Sequence, residues 1–187
     1  MDKFFGNLHA VLAAALVLAL VVIFAVPANA DMTQAVLRWL HLFFGITWIG
    51  LLYYFNFVQI PTMPKVPAEL KPGVSKYIAP SALFFFRWAA ALTVLTGLAV
   101  AWTSGYIVPA LSLQPTHLLI GIGMWLALIM AFNVWFVIWP NQKKALGIVP
   151  AEDAAKAKAA KTAMIFSRAN TLLSLAMLYC MINFNGG

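Results

Sequence analysis

The chain is poor in charged residues. Only 9% of its 187 residues are Asp, Glu, Lys or Arg, whereas 64% are hydrophobic. A soluble domain carries about 25% charged residues, so this chain lacks the side chains needed to cover a globular surface in water. This scarcity excludes a soluble enzyme and a disordered tail, and it predicts an integral membrane protein in contact with a lipid bilayer.

Cysteine and acidic residues are also scarce. Cys180 is the single cysteine, which excludes an internal disulfide, a CxxC metal site and a CxxCH haem-attachment motif. All five Asp and Glu residues lie outside the long apolar runs, so a zinc or non-haem iron site with carboxylate ligands is not expected within the membrane. The net charge of +7 does not indicate a nucleic-acid partner, because the basic residues lie in short loops between apolar runs.

Long apolar runs are what the sequence does contain. Five of them can cross a bilayer as helices: Ala10–Val26, Ala35–Ile60, Ser81–Trp102, His117–Trp139 and Ala163–Phe184. Too few alternating segments exist for a β-barrel. The last four runs therefore predict an all-α, polytopic bundle of four core transmembrane helices. The proline-rich stretch 61–80 is interpreted as a linker, and Ala151–Lys161 as a separate short surface helix.

The first apolar run permits two interpretations. Lys3, the apolar stretch and the motif Ala28-Asn29-Ala30 match a signal peptide with an A-x-A cleavage site. The 17 residues of the run, however, exceed the usual apolar region of about 7–15 residues. We therefore treat residues 1–30 as an N-terminal transmembrane helix or a signal peptide, and residues 31–187 as the four-helix transmembrane domain.

The distribution of lysine predicts the orientation in the membrane. The stretches 61–80 and 140–162 carry eight lysines together, whereas the stretches 27–34 and 103–116 carry no Lys or Arg. Lysine and arginine are enriched in cytoplasmic loops. We therefore expect the first two stretches to be cytoplasmic and the C-terminus to lie outside a bacterial inner membrane.

One set of unusual side chains lies near the predicted outer side. It comprises Arg38, His41, Gly45 and Trp48 on one face of the second span, and His117 and Gly121 on one face of the fourth. Facing histidines can ligate the iron of haem b, and a cation near the interface can pair with a propionate. The pattern predicts a haem b site with His41 and His117 as ligands and Arg38 beside a propionate. Alternatively, His41 hydrogen-bonds a neighbouring helix, His117 caps its own helix at the membrane interface, and the glycines allow close helix packing.

A second set of polar side chains lies near the predicted cytoplasmic ends of the spans. Its members are Asn56, Arg87, Asn133, Arg168 and Asn170. They could form one polar layer that binds an anion or a quinone headgroup. Alternatively, the amides join helices by hydrogen bonds while the arginines extend toward lipid phosphates, and we favour this structural interpretation. We expect Asn133 and Asn170 to face inward and contact each other.

Three segments resemble the membrane domain of the bacterial membrane-bound urate oxidase (urate hydroxylase) family. The segment Val36–Gln59, VLRWLHLFFGITWIGLLYYFNFVQ, is similar to the family pattern R-W-L-H…G-I-x-W-I-G…Y-F. The stretch SKYIAPSALFFFRWAAALTVLTGLAV resembles the family's next segment. Ile129–Gly147, IMAFNVWFVIWPNQKKALG, resembles its I-M-x-x-N-V-x-x-V-I-x-P-N-Q-R-K motif and is the most specific part.

The resemblance implies a compact relative of a redox membrane domain. Family members carry additional middle helices and a C-terminal cytochrome c domain, whereas this chain passes directly from its third span to its fourth and ends at Gly187. We expect a haem-b-binding or electron-transfer component that works with other membrane or cytochrome subunits. The alternatives are a non-catalytic structural or assembly subunit of a larger complex, and a compact urate oxidase that uses a separate cytochrome c. The chain has no complete catalytic motif, so its status as an enzyme stays open.

Overall fold

The structure, a computed structural model, describes residues 2–26 and 31–184, and these residues form helices without any strand. The helices are α1 (Asp2–Phe5), α2 (Leu8–Ala25), α3 (Met32–Lys65), α4 (Lys71–Thr103), α5 (Ile107–Leu111), α6 (Pro115–Ala145) and α7 (Asp153–Ile182). All except α1 and α5 are long and apolar enough to cross a membrane. The predicted all-α architecture with several membrane-spanning helices is confirmed.

The N-terminal unit covers residues 1–36. Helix α2 begins after Asn7, whose side-chain oxygen accepts hydrogen bonds from the backbone N–H groups of His9 and Ala10. No residue of α2 is buried, and its apolar side chains surround the whole helix, as is suitable for a helix in contact with lipid. The predicted cleavage motif Ala28-Asn29-Ala30 lies outside the described residues.

The second unit, residues 37–187, contains the helical bundle. Its core is a cluster of buried apolar side chains from four helices, which includes Trp48, Leu52, Phe86, Met130 and Met177. Small residues allow close packing where lipid offers no hydrophobic driving force. At one such contact, a Cβ added to Gly123 would lie 2.8 Å from the Cβ of Cys180, so α6 and α7 approach closely there.

Three helices contain a stretch of wider π-helical turn. These stretches are Tyr54–Gln59 in α3, Val74–Ile78 in α4 and Asn133–Ile138 in α6. The second residue after each stretch is a proline, namely Pro61, Pro80 and Pro140. In a regular α-helix the proline ring collides with the carbonyl four residues earlier. Here that carbonyl belongs to the wider turn, so each helix continues through its proline.

Two predicted boundaries are therefore wrong. The linker is shorter than residues 61–80, because α3 continues to Lys65 and α4 already begins at Lys71. The stretch Ala151–Lys161 is not a separate helix, because nearly all of it forms the first turns of α7, which runs unbroken from Asp153 to Ile182. The short helix α5 lies in the connection between α4 and α6, where no helix was predicted.

Candidate functional site

A cavity of about 900 Å³ lies between α3, α4, α6 and α7. Its lining follows α3 from Arg38 to Tyr53, a distance of about 22 Å at the rise of an α-helix. Some lining residues, such as Leu42 and Ile46, are exposed, so the cavity is open to the surroundings of the bundle on one side. The volume is typical of sites for cofactors and small molecules, which occupy about 300–1,000 Å³.

His41 is anchored in the wall of this cavity. Its Nδ1 lies 2.9 Å from the carbonyl oxygen of Thr93 and 3.4 Å from the hydroxyl of Thr96. Because a carbonyl can only accept, the neutral ring carries its proton on Nδ1, and Nε2 keeps a free lone pair. Metal-ligating histidines commonly have this arrangement, in which the second ring nitrogen is fixed by a carbonyl.

Gly97 provides the space for the His41 ring. A Cβ at Gly97 would lie 2.7 Å from Cε1 of His41, whereas a Cβ at Gly45 would make only an ordinary contact, 3.8 Å from Thr93 Cγ2. The sequence interpretation had given the space-making role to Gly45 and missed Gly97. The signal for it was present, because Thr93 and Gly97 are small residues four apart on one helix face, a pattern typical of close helix contacts.

Arg38 and Tyr106 lie at one end of the cavity, and both line it. Burial raises the pKa of the Tyr106 phenol above its ordinary value, and the nearby positive charge of Arg38 offsets part of that increase. Arg38 itself is largely exposed. This end of the cavity therefore combines a cation with a neutral hydroxyl, which suits an anionic or hydrogen-bonding group of a ligand.

His117 is close to this end but is not among the residues that line the cavity. Its ring stacks on Tyr106 with 6.0 Å between the ring centroids, and it also contacts Phe184 at 5.9 Å. The hydroxyl of Thr116 lies 2.9 Å from its Nδ1. Since Tyr106 and Phe184 are lining residues, His117 supports the cavity wall from behind, and the cavity does not bring the two predicted ligands together.

The remaining residues of the outer set have separate roles. A Cβ at Gly121 would collide with the backbone oxygen of Ala110 in α5, so this glycine serves close packing and opens no room for a ligand. Trp48 is fully buried and lines the cavity. Met124, one turn after Gly121 on α6, also lines the cavity and is buried.

The asparagines of the inner set form two hydrogen-bonded groups with α7. Asn133 Nδ2 donates to Asn170 Oδ1 at 2.9 Å, and Asn170 Nδ2 donates to the Met130 carbonyl at 2.9 Å. Asn56 Nδ2 donates to the Ser167 hydroxyl at 2.8 Å. The contact predicted between Asn133 and Asn170 is therefore present.

The two arginines of the inner set lie apart from these groups. Arg168 is exposed, and the guanidinium of Arg87 lies over the ring of Trp139, 3.9 Å from its centroid. The five residues do not form one polar layer. The amides join helices and the arginines face the periphery, as the favoured structural interpretation expects.

The fold and the cavity together define a class, a multi-pass helical membrane protein with a cavity inside its bundle. Residues 103–185 match the family model described as urate oxidase N-terminal. The match covers α5, α6 and α7, and it contains the N-V…P-N-Q segment from which the resemblance was argued. The predicted relation to the urate oxidase membrane domain is confirmed for this part of the chain. No curated protein and no solved structure matches the chain.

Proposed function

We propose that the chain is a redox-associated membrane protein whose cavity would hold haem b, with His41 as the residue that would bind the haem iron. The observation that carries this proposal is the anchored imidazole. Nδ1 is fixed by the Thr93 carbonyl at 2.9 Å, and Nε2 is left as the donor atom in the wall of a cofactor-sized cavity.

The residues of the cavity suit a haem in three respects. Most of the lining is apolar, as a porphyrin requires. Arg38 supplies a cation for a propionate at the end near Tyr106. The soft thioethers of Met124, Met177 and Met181 belong to the same lining, and methionine is an established second ligand beside histidine. His117 has no role as a ligand in this proposal, because it supports the wall from behind.

The residues around His41 have distinct roles in the proposed site. Thr93 and Gly97 hold the His41 ring in one orientation, the apolar lining supplies a nonpolar surface, and Arg38 places a positive charge at one end of the cavity. Haem b would supply one-electron transfer when bound. The proposed partner is a separate cytochrome or membrane subunit in the bacterial inner membrane, and the C-terminus would lie outside, an orientation supported by the lysine distribution.

Visible spectroscopy tests the proposal. Protein purified from haem-replete cells should show haem b in oxidised and dithionite-reduced spectra and in a pyridine haemochrome assay. We expect His41→Ala to lose the haem or to change its spin state. The matched control His117→Ala should keep the spectrum, and Arg38→Gln should mainly lower the reduction potential, because a positive charge near the iron is lost.

Two results would contradict this assignment. A colourless wild-type protein would refute haem binding and would favour the alternative of a structural or assembly subunit. A haem spectrum that persists in His41→Ala but is lost in His117→Ala would show that His117, and not His41, binds the iron.

A further inference from the structure

An aromatic surface with two cations lies between α4 and α6 at the lysine-rich end of the bundle. We call it the Trp139 patch, and it consists of Phe84, Arg87, Trp88, Trp135, Trp139 and Lys143. The guanidinium carbon of Arg87 lies 3.9 Å from the centroid of the Trp139 ring, and Nζ of Lys143 lies 5.7 Å from the same centroid. The two positive charges are therefore less than 10 Å apart.

The direction of the Arg87 side chain follows from the helix. Side chains lean toward the N-terminus of their helix, and for α4 this is the lysine-rich end. Arg87 Nη1 donates to the Leu83 carbonyl at 3.3 Å, and the indole Nε1 of Trp135 donates to the Arg87 carbonyl at 3.0 Å. The aliphatic stem thus runs along the helix while the charge points toward the end of the bundle, as expected for a snorkelling arginine.

Among the side chains that the structure describes, no carboxylate pairs with the charges of the Trp139 patch. For residues 3–26 and 31–184 the one salt bridge joins Lys156 and Asp153, so neither Arg87 nor Lys143 has a described carboxylate within 4.0 Å. Like charges at this separation repel each other, and an anion between them would relieve the repulsion. A guanidinium has five N–H donors, of which one is used on Leu83, so several remain for an oxyanion.

The neighbours of Arg87 on α4 indicate what kind of molecule carries this anionic group. Phe84 lies about one turn before Arg87 and Trp88 follows it directly, and their side chains are 48% and 47% exposed. Such apolar surface beside a cation pair fits a molecule with a charged head and hydrocarbon chains. Basic sites between transmembrane helices are known to bind the headgroups of anionic lipids.

We propose that the Trp139 patch is a binding site for an anionic phospholipid of the phosphatidylglycerol type. The phosphodiester would bridge Arg87 and Lys143, and the acyl chains would lie along Phe84 and Trp88. This site is separate from the cavity and does not depend on haem binding.

Native mass spectrometry of the detergent-purified protein tests the site. Phosphatidylglycerol and phosphatidylcholine of identical chains are added at equal mole fraction, and the retained lipid is counted. We expect wild-type protein to retain phosphatidylglycerol preferentially. Since a cation near the membrane surface contributes about a five-fold preference for anionic lipid, Lys143→Gln should weaken retention about five-fold, and its combination with Arg87→Gln should weaken it further.

Lys144→Gln is the matched control. It removes the same charge from the neighbouring residue, which is exposed and has no ring contact with Trp139. It should change retention less than two-fold if the Trp139 patch is a defined site, as judged against the five-fold effect of a contacting cation. Circular dichroism and gel filtration verify that each variant is folded. Arg87→Lys, which keeps the charge, should retain more phosphatidylglycerol than Arg87→Gln.

Three outcomes would overturn the proposal. Equal retention of the two lipids would exclude a preference for anionic headgroups. An equal effect of Lys143→Gln and Lys144→Gln would mean that only the general positive charge matters. Binding of inorganic phosphate without retention of phosphatidylglycerol would show that the cations bind free phosphate and not a lipid.

Discussion

Replacement of Gly97 by alanine tests the anchoring of His41 directly. The new Cβ would lie 2.7 Å from Cε1 and 3.0 Å from Nδ1 of the imidazole, so the ring must leave its position. Overfilling a packed interior costs about 1–3 kcal/mol, and loss of the bond from Nδ1 to Thr93 adds about 0.5–1.5 kcal/mol. We therefore expect Gly97→Ala to lower the free energy of unfolding by about 1.5–4.5 kcal/mol.

Gly50→Ala is the matched control, because a Cβ there meets nothing within 4 Å. Alanine is also the better helix former by about 0.5–1 kcal/mol, so this control should be neutral or slightly stabilising. The assay is unfolding in mixed micelles of rising SDS fraction, followed by circular dichroism. It does not require a bound cofactor.

The same substitution made in the His41→Ala variant distinguishes displacement of the imidazole ring from other effects of the added methyl group. With His41→Ala already present, the added Cβ has no ring to displace, so the cost of Gly97→Ala should fall below about 1 kcal/mol. An equal cost in both backgrounds, or a cost for Gly97→Ala no greater than that for Gly50→Ala, would refute the reasoning.

Three further predictions concern hydrogen bonds, pH and topology. Asn133→Leu and Asn170→Leu should each destabilise by about 1–3 kcal/mol, and in SDS unfolding the double variant should cost at least about 0.5 kcal/mol less than the sum; full additivity would argue against their contact. Because burial raises the pKa of Tyr106, the folded protein holds this proton more tightly than the unfolded chain, so stability should fall as pH rises above about 10. Tyr106→Phe should remove that loss, and identical pH profiles for the two proteins would contradict it. With the native cysteine replaced, a cysteine at Ser112 should react with an impermeant maleimide in intact cells, whereas labelling at Ala155 instead would reverse the proposed orientation.

The sequence predicts the spans well because one strong signal determines them. Backbone groups in lipid must be paired within the helix, so a long apolar run leaves little choice of structure. The same constraint predicts the contact between Asn133 and Asn170. Two amides at equal depth in an apolar bundle reduce the free-energy cost of their burial when they hydrogen-bond to each other. Both expectations depend only on depth along the helix axis, which residue numbers give directly.

The cavity could not be predicted in the same way, because it depends on which faces of the helices meet. His41 was found from its residue type, but its partners Thr93 and Gly97 lie more than fifty residues away in the chain. His117 stacks on Tyr106 and does not line the cavity, and the spacing of residues along one helix cannot reveal such a contact. The helix ends were misjudged near Pro61 and Pro80, because proline usually ends a helix and the wider turns that accommodate it leave no simple sequence pattern.

The wide turn in α3 makes the position of Asn56 depend on the proline that follows the turn, Pro61. A π-helical turn contains one extra residue, so it rotates the following part of the helix by about 100° relative to the part before it. That rotation sets the phase between the half of α3 that lines the cavity and the part that follows the wide turn, and the wide turn itself carries Asn56, which donates to Ser167. Without the ring of Pro61 the wide turn is no longer required, and a return to regular α-helix would shift Asn56 relative to Ser167. A proline near the end of α3 therefore affects a hydrogen bond that joins α3 to α7.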